Sequence, residues 1–386
     1  MTSRPPALSA PRALALLTLL APITLAAAPA RAQSLADRVA AASDGDVRMT
    51  YAARPGACGD GKDVVALGRN LYIYDSMESY GRWSGVSCVP GPVRVTLTVQ
   101  SRAVTGARIR IGPAATPSAG GTELGVVPAA AAAEYFLGLA RRADAPRVAK
   151  EAVLAAALAD SASVAPGLLQ VARDDSRPRA ARRRAVHWAG ALGGASIVPD
   201  LDAIARDPRS DREIREPALA ALSSVEGDAG VPALLRYARG GDTDPWLQKK
   251  AVFWLGQTDA PDARRALRAI IDSTGASDEL RGAAIFALGH GDDVTADDVR
   301  FLEAAYSRVE SAKLKDQILM AVTQQDRGGA GVRWALDRAR DPREPLSARK
   351  KAAFWAGQGD APVKDLVDPY DGVTEPELRE HLLFVL

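Results

Sequence analysis

Acid–base, metal or nucleophilic chemistry would have to come from the histidines, cysteines and clustered carboxylates. The sequence has three histidines, His187, His290 and His381, separated by about a hundred residues each, and no pair has metal-ligand spacing. The two cysteines, Cys58 and Cys88, have no further ligand near them. In an exported chain such a pair forms a disulfide, and closing that loop removes unfolded-state entropy worth roughly 3–4 kcal/mol. "GVSC" (85–88) is no nucleophile elbow, and the serines have no histidine nearby in sequence. In "CGDGKD" (58–63), Asp60 and Asp63 supply too few oxygens for a calcium loop. "GKD" lacks the glycine spacing of a phosphate loop, and the glycines favour a turn. Asp259, Asp292, Asp293 and Asp360 fall in loops, where carboxylates cap helices and form ion pairs. The chain is therefore read as non-enzymatic, with no cofactor and no metal.

The elements that carry these residues are repeated. "LQKKAVFWLGQTDAP" (247–261) returns as "ARKKAAFWAGQGDAP" (348–362). Gly190, Ser223, Gly256 and Gly289 are 33 residues apart, Thr323 and Gly357 follow at intervals of 34, and 33 before Gly190 stands Ala157. Eight residues before each landmark from Gly190 onward is a long polar side chain: Arg182, Arg215, Gln248, Arg281, Lys315, Arg349. One residue earlier the position is apolar: Ala181, Ile214, Leu247, Leu280, Leu314, Ala348. A period in this range marks a solenoid. Each unit shows two helical patterns. In "DPWLQKKAVFWLGQ" (244–257), Asp244 is an N-cap and Pro245 a first-turn proline, with Asp211, Ser277 and Ser311 in the same capping place elsewhere. The landmark glycines suit a left-handed helix end. Pro217 and the glycine-free "LMAVTQQ" (319–325) depart from the pattern.

"LQKKAVFWLG", "LRGAAIFALG" (280–289) and "ARKKAAFWAG" resemble a HEAT-type repeat array, more narrowly the short-repeat class shared with phycobilisome-lyase-like proteins. The resemblance covers roughly 129–386. It implies a mainly α fold, an α-solenoid of about seven helix pairs with the last incomplete. It also implies that the Arg/Lys/Gln row is an internal ladder pairing with acids of adjacent loops. Lyases of that class attach bilin pigments, and no residue set here takes that role.

At about 100° per residue, Leu247, Ala251, Val252, Trp254 and Leu255 share one arc that faces neighbouring helices. The opposite arc holds Trp246, Lys249, Lys250, Phe253 and Gln257. Equivalents of Phe253 are His187, Ala220, Phe286, Met320, Phe354 and Phe384, flanked by Arg184, Lys250 and Lys351, with Gln358 matching Gln257. Stacking would align these side chains into a strip rimmed by cations, the composition of a protein-binding groove. The alternative is that the rings pack sideways against the next unit. Trp188, Trp254 and Trp355 point to the core.

Ahead of the repeats, Arg4 and Arg12, the apolar "ALALLTLLAPITLAAA" (13–28) and "ARA" (30–32) make residues 1–32 a secretory signal peptide. Without its three arginines, 46 basic residues face 47 acidic ones, a net charge of −1. That excludes a charge-driven affinity for nucleic acid. No second long apolar stretch follows, so stable membrane insertion is not expected. Residues 33–111 read as a small disulfide-stapled β-rich module. "DVRMTYA" (46–52), "LYIYD" (71–75) and "VRVTLTVQ" (93–100) are its strands, and "ARIRIG" (107–112) follows a turn containing Gly106. Residues 112–128, rich in Gly, Pro, Ser and Thr, read as a linker separating two cores. Loss of Cys58 should then disturb the module alone. The chain is expected to be exported to the periplasm or cell envelope. There it would serve as a scaffold for another protein or peptide, or, as the alternative, a lyase-like or ligand-carrying accessory protein. Its abrupt end at Leu386 suggests a longer natural protein.

Overall fold

The computed structural model describes residues 1–2, 33–62, 64–67, 71–74, 77–80, 88–113, 120–240, 244–290, 294–325, 329–359, 364 and 373–385. Residues 3–32, which carry most of the expected signal peptide, lie outside them, as do Asp63, Asp292, Asp293, Asp360 and Leu386.

A short helix, α1 (Leu35–Ala40), opens the described chain. One sheet holds β1 (Gly45–Tyr51), β7 (Val93–Gln100), β8 (Ala103–Arg110) and β9 (Thr122–Val126) in the order β8-β7-β1-β9. The second holds β2 (Ala57–Gly59), β3 (Val65–Leu67), β4 (Leu71–Tyr74), β5 (Met77–Tyr80) and β6 (Val89–Pro90) in the order β5-β4-β3-β2-β6. Strict alternation in β7 buries Val93, Val95, Leu97 and Val99, since successive side chains of a strand leave by opposite faces. The disulfide joins Cys58 on β2 to Cys88, just ahead of β6.

Two expectations are corrected here. The β7–β8 hairpin turns at Ser101 and Arg102, both at positive φ (50° and 62°), the twist a two-residue hairpin needs. Gly106 lies inside β8, where the register shifts. Residues 112–128 do not separate two cores: β9 falls within them and pairs parallel with β1. Below β1 the sheet is fastened to the helices. Tyr51 Oη donates to the Ala155 carbonyl at 2.6 Å, its ring sits 6.1 Å from Phe136, and Ala53 bridges Ala159. One continuous set of buried side chains runs from Leu35 to Leu382.

The helices follow as α2 (Ala129–Arg142), α3 (Pro146–Ala157), α4 (Ala165–Arg173), α5 (Arg179–Gly193), α6 (Val198–Arg206), α7 (Arg212–Ser224), α8 (Val231–Ala238) and α9 (Pro245–Leu255). Beyond them come α10 (Pro261–Asp272), α11 (Asp278–Gly289), α12 (Ala296–Tyr306), α13 (Ala312–Gln324), α14 (Ala330–Arg340), α15 (Leu346–Gln358) and α16 (Pro376–Val385). From α2 to α15, each even-numbered helix packs on the odd-numbered one that follows it. The odd-numbered helices α3 to α15 also pack on one another in chain order, and α16 packs on α15. The chain is mainly helical because these short helices bury their apolar faces between neighbours; alone, helices of this length are marginal. Asp244 and Ser277 cap α9 and α11 with their side chains, whereas Asp211 and Ser311 make no such bond. Pro217 sits inside an uninterrupted α7.

The landmark glycines are not left-handed helix ends. Gly190, Gly289 and Gly357 lie within helices, and Gly256 has φ −69°. Their role is close approach. A Cβ on Gly190 would overlap the Ala221 methyl, one on Gly256 would stand 2.5 Å from the Ala287 carbonyl oxygen, and one on Gly289 would stand 2.6 Å from the Ala321 methyl. On Gly357 it would overlap Val385. Ala221, Ala287 and Ala321 each lie two residues before the next unit's landmark. Where the landmark is Ala157, Ser223 or Thr323, the residue at that place in the next unit is Trp188, Trp254 or Trp355. A glycine is thus matched to a small or branched neighbour, and a landmark with a side chain to an indole. Close approach is thus confined to the glycine steps, and the bulkier pairs hold their helices further apart.

The row eight before the landmark also has a defined task. Arg182, Arg215, Arg281 and Arg349 donate through Nε to the carbonyls of Ala172, Ala205, Ile271 and Ala339, at 2.9–3.0 Å. Gln248 does the same to Ala238 at 3.1 Å. All five acceptors lie in the last turn of the preceding helix, where carbonyls lack intrahelical partners. Three of these arginines also hold loop acids: Arg182 binds Asp175, Arg215 binds Asp244 and Arg349 binds Glu375. Lys315 reaches Glu344 at 3.0 Å instead.

Candidate binding groove

Seven and six residues before the landmark, the odd-numbered helices other than α11 carry polar side chains, with Pro217 on α7 the one exception. In three of the six steps between successive odd-numbered helices these positions form ion pairs. Lys250 on α9 meets Glu216 on α7 at 2.5 Å, and Lys351 on α15 meets Asp316 on α13 at 3.3 Å. Arg184 on α5 meets Glu151 on α3 at 3.1 Å.

At α11 the pattern fails, because the two positions are Gly282 and Ala283. The missing side chains leave an open groove of about 470 Å³ along α11, walled by α9 and α13. Its floor is Gly282, Ala283 and Phe286; Trp246, Lys249, Lys250 and Phe253 form one wall, and Lys313 and Gln317 the other. Asp278 and Glu279 stand at the start of α11. The Gln317 amide lies over Gly282, where a Cβ would overlap its Oε1. Phe286 is 39% exposed, while Phe253 and Trp246 are half-buried. The Phe253 and Phe286 rings stack with centroids 6.3 Å apart, and His290 stacks on Phe286 at 4.1 Å while its Nε2 meets Gln324 Oε1 at 2.9 Å. Trp246 is held from behind by Arg212 and Arg215, whose guanidinium carbons lie 5.2 and 4.9 Å from its ring centroid.

The expected strip is therefore shorter than the sequence suggested. Trp246, Lys250, Phe253 and Phe286 come together in the groove. Arg184 is fully buried, paired with Glu151 on α3, and His187 nearly so, its ring edge-to-face with Trp188; neither belongs to an exposed surface. Lys351 and Gln358 are exposed and Phe354 half-buried on α15, away from the groove lining, and Met320 is half-buried on α13. Gln257 is exposed at the end of α9. The cationic rim is also partly neutralised, since Lys250 and Lys351 are paired and Lys313 lies 3.8 Å from Glu279. Gly282, Ala283, Gln317 and His290 were not singled out as site residues. Two small residues at positions where other units carry large charged ones were the available signal.

His187, His290 and His381 lie on α5, α11 and α16. Among the described residues no group of three or more His, Cys, Asp or Glu side chains could hold a metal ion. Asp60 accepts the backbone N–H groups of Lys62 and Val64 at 2.8 and 3.0 Å, the geometry of a turn.

No family model matches the chain, and no curated protein matches it. Among solved structures, it is similar to human deoxyhypusine hydroxylase in complex with glycerol, at 16% identity and a TM-score of 0.27, over 66% of this chain and 95% of that one. It is also similar to a lipovitellin chain from a structure of lipid–protein interactions, at 14% identity and a TM-score of 0.48, over 81% of this chain and 39% of that one.

Proposed function

We propose that the helix pairs form a HEAT-type α-solenoid that acts as a non-catalytic scaffold, holding another polypeptide in the groove over α11. The observation that carries this reading is the groove itself. An exposed phenylalanine, two half-buried aromatic rings and an apolar floor are gathered where a single unit has lost its polar side chains. Aromatic rings in a pocket with a polar rim are the usual anchors of protein interfaces. The groove's openness favours a polypeptide over the small molecule of a lyase-like or ligand-carrying protein, which would need enclosure by convergent polar groups. The 33- and 34-residue spacing and the packing of successive odd-numbered helices support the solenoid. Export to the periplasm or cell envelope is part of the same reading, supported by the pattern of residues 1–32 and by the disulfide. No helix among the described residues is long and apolar enough to cross a membrane.

The test is retention of proteins from a cell-envelope extract on immobilised chain. Wild type should retain a partner that Phe253→Ser/Phe286→Ser loses, with the thermal midpoint lowered by only about 2–4 °C. Retention of the same proteins by both forms would overturn the assignment.

A further inference from the structure

Charge at the groove does more than line it. In the steps α7–α9 and α13–α15, the position seven before the landmark is an acid, Glu216 or Asp316, and the facing lysine six before the next landmark neutralises it. In the step α9–α11 the sign is reversed and the second member is missing. Lys249 stands where the acid would be, and Ala283 stands where its counter-charge would be. Lys249 is exposed and has no carboxylate within ion-pair distance among the described residues. Across the groove, Gln317 Oε1 is buried without a hydrogen-bond donor among the described residues. An unpaired cation and an aromatic floor face the same space.

We propose that the occupant of this groove is a polypeptide segment that carries a carboxylate side chain within one helical turn of a large apolar one. The apolar side chain fills the space over Ala283 between Phe253 and Phe286. The carboxylate pairs with Lys249, supplying the rung that α11 lacks. The attraction is an exposed ion pair, so it selects among segments more than it adds affinity. This assignment rests on the groove being a polypeptide site, and the two are separable by experiment.

The probe is a random dodecapeptide library displayed on phage, selected on the full chain and counter-selected on Ala283→Glu. That variant fills the floor and brings Lys249 its own carboxylate, so it should fold and fail to bind. The expected consensus places Asp or Glu within four positions of Phe, Trp, Leu or Met. A synthetic consensus peptide should bind Lys249→Glu about fivefold more weakly than wild type, and added salt should narrow that difference. Enrichment lost on Phe286→Ser but without an acidic preference, or with Lys or Arg beside the anchor, would sink the charge assignment and leave the groove reading standing. No enrichment over Ala283→Glu would overturn both.

Discussion

Asp298 is fully buried, yet it stays ionised because every oxygen is occupied. Its Oδ2 accepts Arg264 at 2.6 Å and the Thr295 hydroxyl at 2.6 Å, while Oδ1 accepts Arg268 at 2.6 Å. Burial alone would raise its carboxyl, but the hydrogen bonds from Thr295 and Arg268 and the charge of Arg264 outweigh it and hold the group below the ordinary 3.8. A carboxyl depressed in the folded state contributes stability that is complete above the unfolded value and lost as pH falls through the folded one. The urea midpoint should therefore fall as pH drops below about 4. In Asp298→Asn it should be lower at pH 7, by roughly 2–3 kcal/mol of stability, and change less on acidification. Parallel acid limbs in the two proteins would contradict this. The arginine rungs were legible because they recur every unit. Asp298 was not, because its two arginines come from α10 and the capping box with Thr295 occurs on α12 alone among the repeated helices.

At the scale of the element, the landmark glycines set how closely successive odd-numbered helices approach. By propensity alone, Gly190→Ala should stabilise a helix by up to about 1 kcal/mol. Overlap with Ala221 should reverse the sign and leave a net loss of roughly 1–3 kcal/mol. Adding Ala221→Gly removes the overlapping methyl, so denaturant titration of the four forms should give a favourable coupling of about 1 kcal/mol or more. Simple additivity would mean that the helices shift freely and the approach is not fixed. Sequence periodicity located these glycines; it could not tell close approach from a left-handed end, since both call for the absence of Cβ. The same ambiguity hid the groove, where Gly282 and Ala283 read as unremarkable helix residues until α9 and α13 were placed on either side.

For the whole molecule, the question is whether the β-sheets and the helices unfold apart. Tyr51, Ala53 and Arg54 all contact the 155–162 segment, so the sheet and α3 share a core. Replacing both Cys58 and Cys88 by Ser should cost roughly 3–4 kcal/mol. Hydrogen exchange should then rise in β1, β7, α2 and α3 together, while α11 to α16 keep their protection, because each helix pair is supported by its neighbours. Faster exchange confined to the strands would restore the picture of a separate module.

The sequence by itself determined the period, the helix pairs, the place of the long polar row, the strands around Val93–Val99 and the pairing of the only two cysteines, because each follows from local patterning or from counting; that the row donates chiefly to helix-end carbonyls was decided by the tertiary structure. Tertiary structure decided the rest. It buried Arg184 and His187, turned residues 122–126 into a strand, and gathered Trp246, Phe253 and Phe286 over a gap. The physical reason is that exposure and close approach belong to neighbouring units: whether a side chain on one helix is buried, paired or free depends on the size and charge of residues 33 positions away.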